Sequence, residues 1–272
     1  MKPRIFILWA LFLAVAPSDA GLVLFADSSA FDYQHEMNVN PSGQDLDGNT
    51  TADWFAGTAG GATIPQTFTA GVAYSNQGAA TPEILFRTDV TGSITRSSFS
   101  DTAPMTLEVR VSKLSGTQGS IGWFGLALQM PTSDHSIVVA LADDRVKVRE
   151  SGGTYVEYLN GTDFTSGFHT VRVAKESGNA WYVWVNQTLL NADLNTPIID
   201  GNGSFNVLGA WFIGDYSGTG YAGDWAVDYI RLEKDGAYAI PEPATFSLVL
   251  TALGAACIRR RKDGCMSATW GP

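Results

Sequence analysis

Cysteine is missing from the whole stretch between residues 21 and 240; the chain's two, Cys257 and Cys265, both fall near its C-terminal end. A thiol nucleophile, a cysteine zinc site and stabilising disulfides are thereby excluded from that stretch. Charge is scarce too: 16% of the 272 residues are Asp, Glu, Lys or Arg, against 45% apolar. That balance is too apolar for a disordered chain, too polar for a bundle of membrane spans, and sufficient for one sizeable core. Positive charge is scarcest of all. Residues 21–240 hold 11 Lys and Arg against 24 Asp and Glu, a net of −13. Such a surface repels phosphate backbones and argues against nucleic acid as a partner, while leaving cations and neutral polysaccharide open. The three histidines, His35, His135 and His169, show no ligand spacing. Gly-x-Ser-x-Gly does not occur, and no glycine-rich phosphate loop opens a helix.

What is present at the two ends reads as addressing. Lys2 and Arg4 precede an apolar stretch from Ile5 to Val15, and Ser18-Asp19-Ala20 places small residues where a signal peptidase reads them. Residues 1–20 are therefore expected to be a secretory signal cut after Ala20, with signal peptidase and the translocon as partners. At the other end Phe246 to Ile258 forms an apolar run of 13 residues, followed at once by Arg259, Arg260, Arg261 and Lys262. As a helix this run spans roughly 20 Å, short against a hydrocarbon core of about 30 Å. The basic cluster is expected to stay cytoplasmic and stop translocation. Both ends predict one topology, with residues 21–240 outside the cytoplasm on a short transmembrane helix, a transient membrane anchor.

Pro241-Glu242-Pro243 stands just ahead of that helix. Each proline fixes φ and resists helix and strand, which keeps the segment extended and open to an enzyme. The order Pro-Glu-Pro, apolar helix, arginine cluster resembles the PEP-CTERM sorting signal of Gram-negative bacteria that make extracellular polysaccharide. The resemblance implies recognition and cutting near Pro241-Glu242-Pro243 by an exosortase. Residues 237–262 are assigned to this signal, and 263–272 form a tail beyond its usual end.

The middle alternates. In Thr106–Ser112 the leucine and valines share one face while Glu108 and Arg110 take the other, a strand pattern. Similar runs occur at 136–141, 145–149, 154–159, 169–173, 180–185, 205–213 and 225–232. Turn signals separate them, among them Asp143-Asp144, Ser151-Gly152-Gly153, Asn160-Gly161 and Gly201-Asn202-Gly203. The expected fold is all-β, a two-sheet antiparallel β-sandwich over residues 21–236, with another sandwich type or two small sandwiches as alternatives. The hairpin 167–175/181–186 and the last strand, 225–232, resemble those of laminin-G-like and other concanavalin-A-like domains, which implies a jelly roll. Phe31-Asp32-Tyr33 and Asp47-Gly48-Asn49 with Trp54 resemble the openings of PEP-CTERM proteins that carry such domains.

Hydrolases of the concanavalin-like group set carboxylates at alternate positions of one strand, Glu-x-Asp-x-Glu, so that two enter one cleft. No strand here carries that pattern, and no catalytic residue is assigned. For a metal, Asp45, Asp47, Asn49 and Asp53 supply alternating oxygen ligands of the kind Ca²⁺ takes, although Thr50 stands where an EF-hand needs glycine. Asp215, Asp224 and Asp228 form a second acidic group, and the fold resemblance itself implies a structural Ca²⁺. If Val183 and Val185 face the core, Tyr182 and Trp184 face outward, where flat rings could stack on sugars; Trp123, Trp211 and Trp225 are read as core. These readings converge on an exported, non-catalytic envelope or matrix protein with polysaccharide as its ligand. A secreted hydrolase or lyase of unfamiliar design, and a purely structural surface protein, are the alternatives.

Overall fold

The computed structural model describes residues 22, 30–40, 44, 55–56, 66–75, 84–87, 102–129, 136–150, 154–176, 180–199, 210–214 and 224–240. Those residues build two antiparallel sheets and no helix. The larger sheet runs β13 (Thr188–Leu189), β12 (Ala180–Val185), β11 (His169–Lys175), β6 (Met105–Lys113), β16 (Trp225–Glu233), β4 (Val72–Ser75), β3 (Gln66–Thr69). β1 (Tyr33–His35) also pairs with β16, and β14 (Ile198–Ile199) with β12. The smaller sheet runs β10 (Tyr155–Tyr158), β9 (Val146–Arg149), β8 (Ser136–Leu141), β7 (Phe124–Gln129), β15 (Ala210–Gly214), β5 (Ile84–Arg87), β2 (Phe55–Ala56).

The expected alternation sets the packing. Leu107, Val109 and Val111 of β6 join Val171, Val173, Val183 and Val185 in one buried cluster with Leu126, Val139 and Val148 of the opposite sheet. Trp123 and Trp225 lie in the same core, and Trp225 meets the Phe124 ring edge-on at 5.6 Å. Asp143 and Asp144 form the turn between β8 and β9, where Asp143 accepts from Lys113 Nζ at 2.6 Å. The stretch 205–209, the apolar run 246–258 and everything beyond Ile240 lie outside the described residues. No helix among the described residues is long and apolar enough to cross a membrane.

One irregularity decides what the outer face of the larger sheet carries. In β16 the register against β6 shifts between Val227 and Tyr229, a bulge with Asp228 as the extra residue. Trp225 and Val227 point inward before it, Ile230 and Leu232 after it. Tyr229 and Arg231, which an unbroken period of two would bury, come out on the outer face instead.

Candidate functional site on the outer face of the larger sheet

Three strands place their outward residues in rows. Glu108 of β6 pairs in register with Arg172 of β11 on one side and Arg231 of β16 on the other. One row toward the end of the sheet, Arg110 lies between Thr170 and Tyr229. Glu108 is buried, its side chain 4% exposed, and it is the hub of a closed network. Its Oε2 accepts from Arg172 Nε at 2.7 Å and pairs with Nη2 at 2.6 Å; its Oε1 accepts from Tyr229 Oη at 3.0 Å and Arg231 Nη1 at 3.3 Å. Burial, followed by the charge on Glu108, pushes the Tyr229 hydroxyl up to about 12. It stays a donor at any physiological pH.

Beside this network opens a cleft of about 410 Å³, with Glu108 and Arg172 at its floor. Arg110, Phe168, Thr170, Asn186, Gln187, Tyr229 and Ile240 form its walls. Arg110 pairs with Asp228 and lies 4.9 Å over the Phe168 ring, so the cleft presents a cation, an aromatic ring and two amides together. The amides come from the two-residue turn joining β12 to β13. Asn186 and Gln187 both have left-handed φ, 49° and 71°, as a type I′ hairpin demands. Gln187 is an unusual occupant of that region. Asn186 is locked: its Oδ1 accepts from the Thr170 N–H at 3.0 Å and its Nδ2 lies 2.9 Å from His169 Nδ1.

A second cleft, about 470 Å³, lies where the edges of the two sheets meet, lined by Glu150, Tyr158, Leu190, Asn191, Pro197 and Ile198. Its polar groups are engaged internally. Tyr158 donates to Glu150, and Asn191 bonds to Val183, Trp181 and Thr196 of its own chain.

Tyr182 and Trp184 do leave the core side of β12, as the alternation requires, but they are not an open platform. Both are buried, beneath Leu22, Ala237 and Ala239, with Leu189, Leu194 and Ile240 at the edge. The cover is a strap, residues 236–240, laid across the sheet. The Gly236 carbonyl accepts from Thr106 Oγ1 at 2.7 Å, and the Tyr238 N–H returns to the same oxygen at 2.8 Å. Arg172 Nη1 donates to the Ala239 carbonyl at 3.0 Å. Residues 237–240, grouped with the sorting tag by sequence, thus pack against the sandwich body.

The expected metal ligands Asp45, Asp47, Asn49 and Asp53, and Asp215 of the second acidic group, lie outside the described residues, as do Ala20, Pro241, Glu242, Pro243 and Arg259, Arg260, Arg261, Lys262. The other two acids of that group serve separate contacts: Asp224 holds Ser115 at 3.2 Å, and Asp228 holds Arg110. The described residues bring together a different trio, Asp32, Glu233 and Asp235, whose oxygens lie within 4.8 Å of one another. Glu233 there already accepts the Asp32 and Asp235 N–H groups, each at 3.1 Å. His35 and His169 are buried, and burial lowers both below the usual imidazole range; His35 Nδ1 accepts from the Met37 N–H at 3.1 Å. His135 lies outside the described residues.

No family model matches the chain, and no curated protein matches it. Among solved structures it is similar to a carbohydrate esterase from the Shiga toxin-encoding bacteriophage phi24B, at 10% identity and TM-score 0.46, over 68% of this chain and 91% of that one. It is similar to Trypanosoma rangeli sialidase at 12% identity and TM-score 0.49, over 77% of this chain and 31% of that one. The receptor-binding domain of a botulinum neurotoxin C/D mosaic serotype is similar at 7% identity and TM-score 0.48, over 83% of this chain and 52% of that one. The chain spans about a third of the sialidase's length.

Proposed function

We propose that this chain is an exported, non-catalytic protein of the cell envelope or extracellular matrix, passed to an exosortase through its C-terminal tag and binding polysaccharide in the cleft beside Glu108. The observation that carries the reading is the order of segments in the sequence: Pro241-Glu242-Pro243, a 13-residue apolar run and then Arg259–Lys262. The packed body reaches Ile240, immediately before that tag, which supports a division of labour between a folded cargo and a removable address. Within the body, a concanavalin-A-like jelly roll is the reading of the two-sheet sandwich that the hairpin 167–186 favours, and a structural Ca²⁺ remains part of that reading.

Polysaccharide fits the cleft by chemistry. Sugar rings bring apolar C–H faces and dense hydroxyls, and the Phe168 and Tyr229 rings stand beside Arg110, Thr170 and Gln187. Absence of turnover fits the state of the carboxylates. A glycosidase needs one carboxyl that carries a proton and one free to attack or to activate water. Glu108 is saturated by two arginines and a tyrosine, and Asp228 is paired with Arg110.

The test is a glycan array with the 21–240 fragment, run beside a reducing-sugar release assay on the polymers that bind. The expected result is binding without release, weakened about tenfold by Phe168→Ala, a loss of ~1.4 kcal/mol. Release of reducing ends abolished by one carboxylate substitution would instead establish a hydrolase. Silence in both assays would favour a purely structural protein.

A further inference from the structure

The cleft beside Glu108 has its negative charge engaged and a positive charge open. Two guanidinium groups, Arg110 and Arg172, line it against the single carboxylate of Glu108. Both oxygens of that carboxylate are taken, Oε2 by Arg172 and Oε1 by Tyr229 and Arg231. Arg172 is taken as well, by Glu108 and the Ala239 carbonyl. Arg110 differs. Its side chain is 42% exposed, and among the described residues only its Nη1 is committed, to Asp228. Its other edge, formed by Nε and Nη2, is the edge that Arg172 turns on Glu108, and in Arg110 it has no partner among the described residues. The Phe168 ring lies 4.9 Å beneath the group and fixes its plane. The remaining polar groups of the walls divide in the same way. Asn186 is locked to Thr170 and His169, and the Thr170 hydroxyl meets that of Tyr229. Gln187 is exposed, and its amide bonds to none of the described residues.

We infer that the cleft selects an acidic polysaccharide, one that carries uronic-acid carboxylates, with the Nε and Nη2 edge of Arg110 gripping the carboxylate and Gln187 bonding a neighbouring hydroxyl. The inference rests on the reading of this cleft as a polysaccharide site and names the class of polymer that enters it. A carboxylate offers two coplanar oxygens to the two parallel donors of that edge, and such charge-assisted bonds are about twice as strong as neutral ones. A sugar hydroxyl offers one oxygen and no charge. Net charge alone favours a neutral polymer, since residues 21–240 carry −13. That repulsion acts at long range and is largely screened beyond about 8 Å at physiological ionic strength, whereas a contact pair at Arg110 is not.

The test is binding of the full chain to alginate, polygalacturonate and hyaluronan, each beside its carboxyl-reduced counterpart, which keeps the backbone and loses the charge. Native protein is expected to bind at least one acidic polymer about tenfold more tightly than the reduced form. Arg110→Gln is expected to bring the two forms level. Gln187→Gly is expected to weaken binding of the acidic polymer while Tm stays the same or rises, because Asn-Gly is a preferred pair for this turn. A purely structural Gln187 would leave binding unchanged. Where Arg110→Gln does not fold, the native comparison and Gln187→Gly decide. The inference falls, and the polysaccharide reading stands, if the glycan array retains only polymers without carboxylates, if acidic and reduced forms bind alike, or if the preference survives Arg110→Gln. Failure of every polymer on the array to bind would take down both.

Discussion

Glu108→Ala is expected to destabilise the domain by about 3–5 kcal/mol, because it leaves the buried Arg172 without its carboxylate and the partly buried Arg231 with only Glu36. Their side chains are 9% and 17% exposed, too little for water to replace the lost partner. At about 2–4 °C per kcal/mol for a domain of this size, the drop is roughly 6–20 °C in Tm. The effect should spread to the strap, since the Arg172 side chain that Glu108 holds also donates to the Ala239 carbonyl. The triple replacement Glu108→Met, Arg172→Met, Arg231→Met should cost less than Glu108→Ala alone, because it removes the charges together with the need to pair them. Thermal denaturation of the three proteins checks this. A Glu108→Ala protein within 1 kcal/mol of the native would show that the network is solvated rather than buried.

Ending the chain at Asp235 instead of Ile240 should be of comparable size. It strips the cover from Tyr182 and Trp184, which are 1% and 0% exposed with the strap in place. Uncovering roughly 150 Å² of ring surface at about 25 cal/mol per Å² costs ~4 kcal/mol. The bonds from Thr106 to Gly236 and Tyr238, and from Arg172 to Ala239, add about 1 kcal/mol each. Denaturant unfolding of fragments 21–235 and 21–240 measures the difference, and a red shift of tryptophan emission in the shorter one reports Trp184 meeting water. Equal midpoints and equal spectra would mean that the strap is not part of the fold. On the proposed function, a cut at Pro241-Glu242-Pro243 would remove the tag and leave the strap with the body.

Local pattern made half of this architecture legible. Alternation in residues 106–112 separates Leu107, Val109 and Val111 from Glu108 and Arg110, and the structure keeps that separation. The same logic sends Tyr182 and Trp184 away from the core side of β12. What alternation could not say is whether an outward face meets solvent or another piece of chain. Here it meets residues 237–240, Ala-Tyr-Ala-Ile, more than 50 positions away, which look like linker when read alone. The Arg172–Glu108–Arg231 row was hidden for a related reason. Its partners lie 64 and 123 residues from Glu108, and only cross-strand register brings them into line. One signal was available: in Trp225-Ala226-Val227-Asp228-Tyr229-Ile230-Arg231-Leu232 the apolar phase skips a position between Val227 and Ile230, the mark of the bulge that turns Tyr229 and Arg231 outward. The cleft itself had no signature in sequence, because an arginine, a phenylalanine and a hairpin glutamine, each ordinary in its own segment, become a site only when three strands meet.

The measurement that bears most directly on the account is the intact mass of the protein recovered from membrane, medium and cytosol of the cells that make it. Native chain should be found outside the cytosol, beginning at Gly21 and ending close to Pro241-Glu242-Pro243. A chain with those three residues changed to alanine should keep its C-terminus and stay with the membrane. Recovery of soluble cytosolic protein running from Met1 to Pro272 would contradict it.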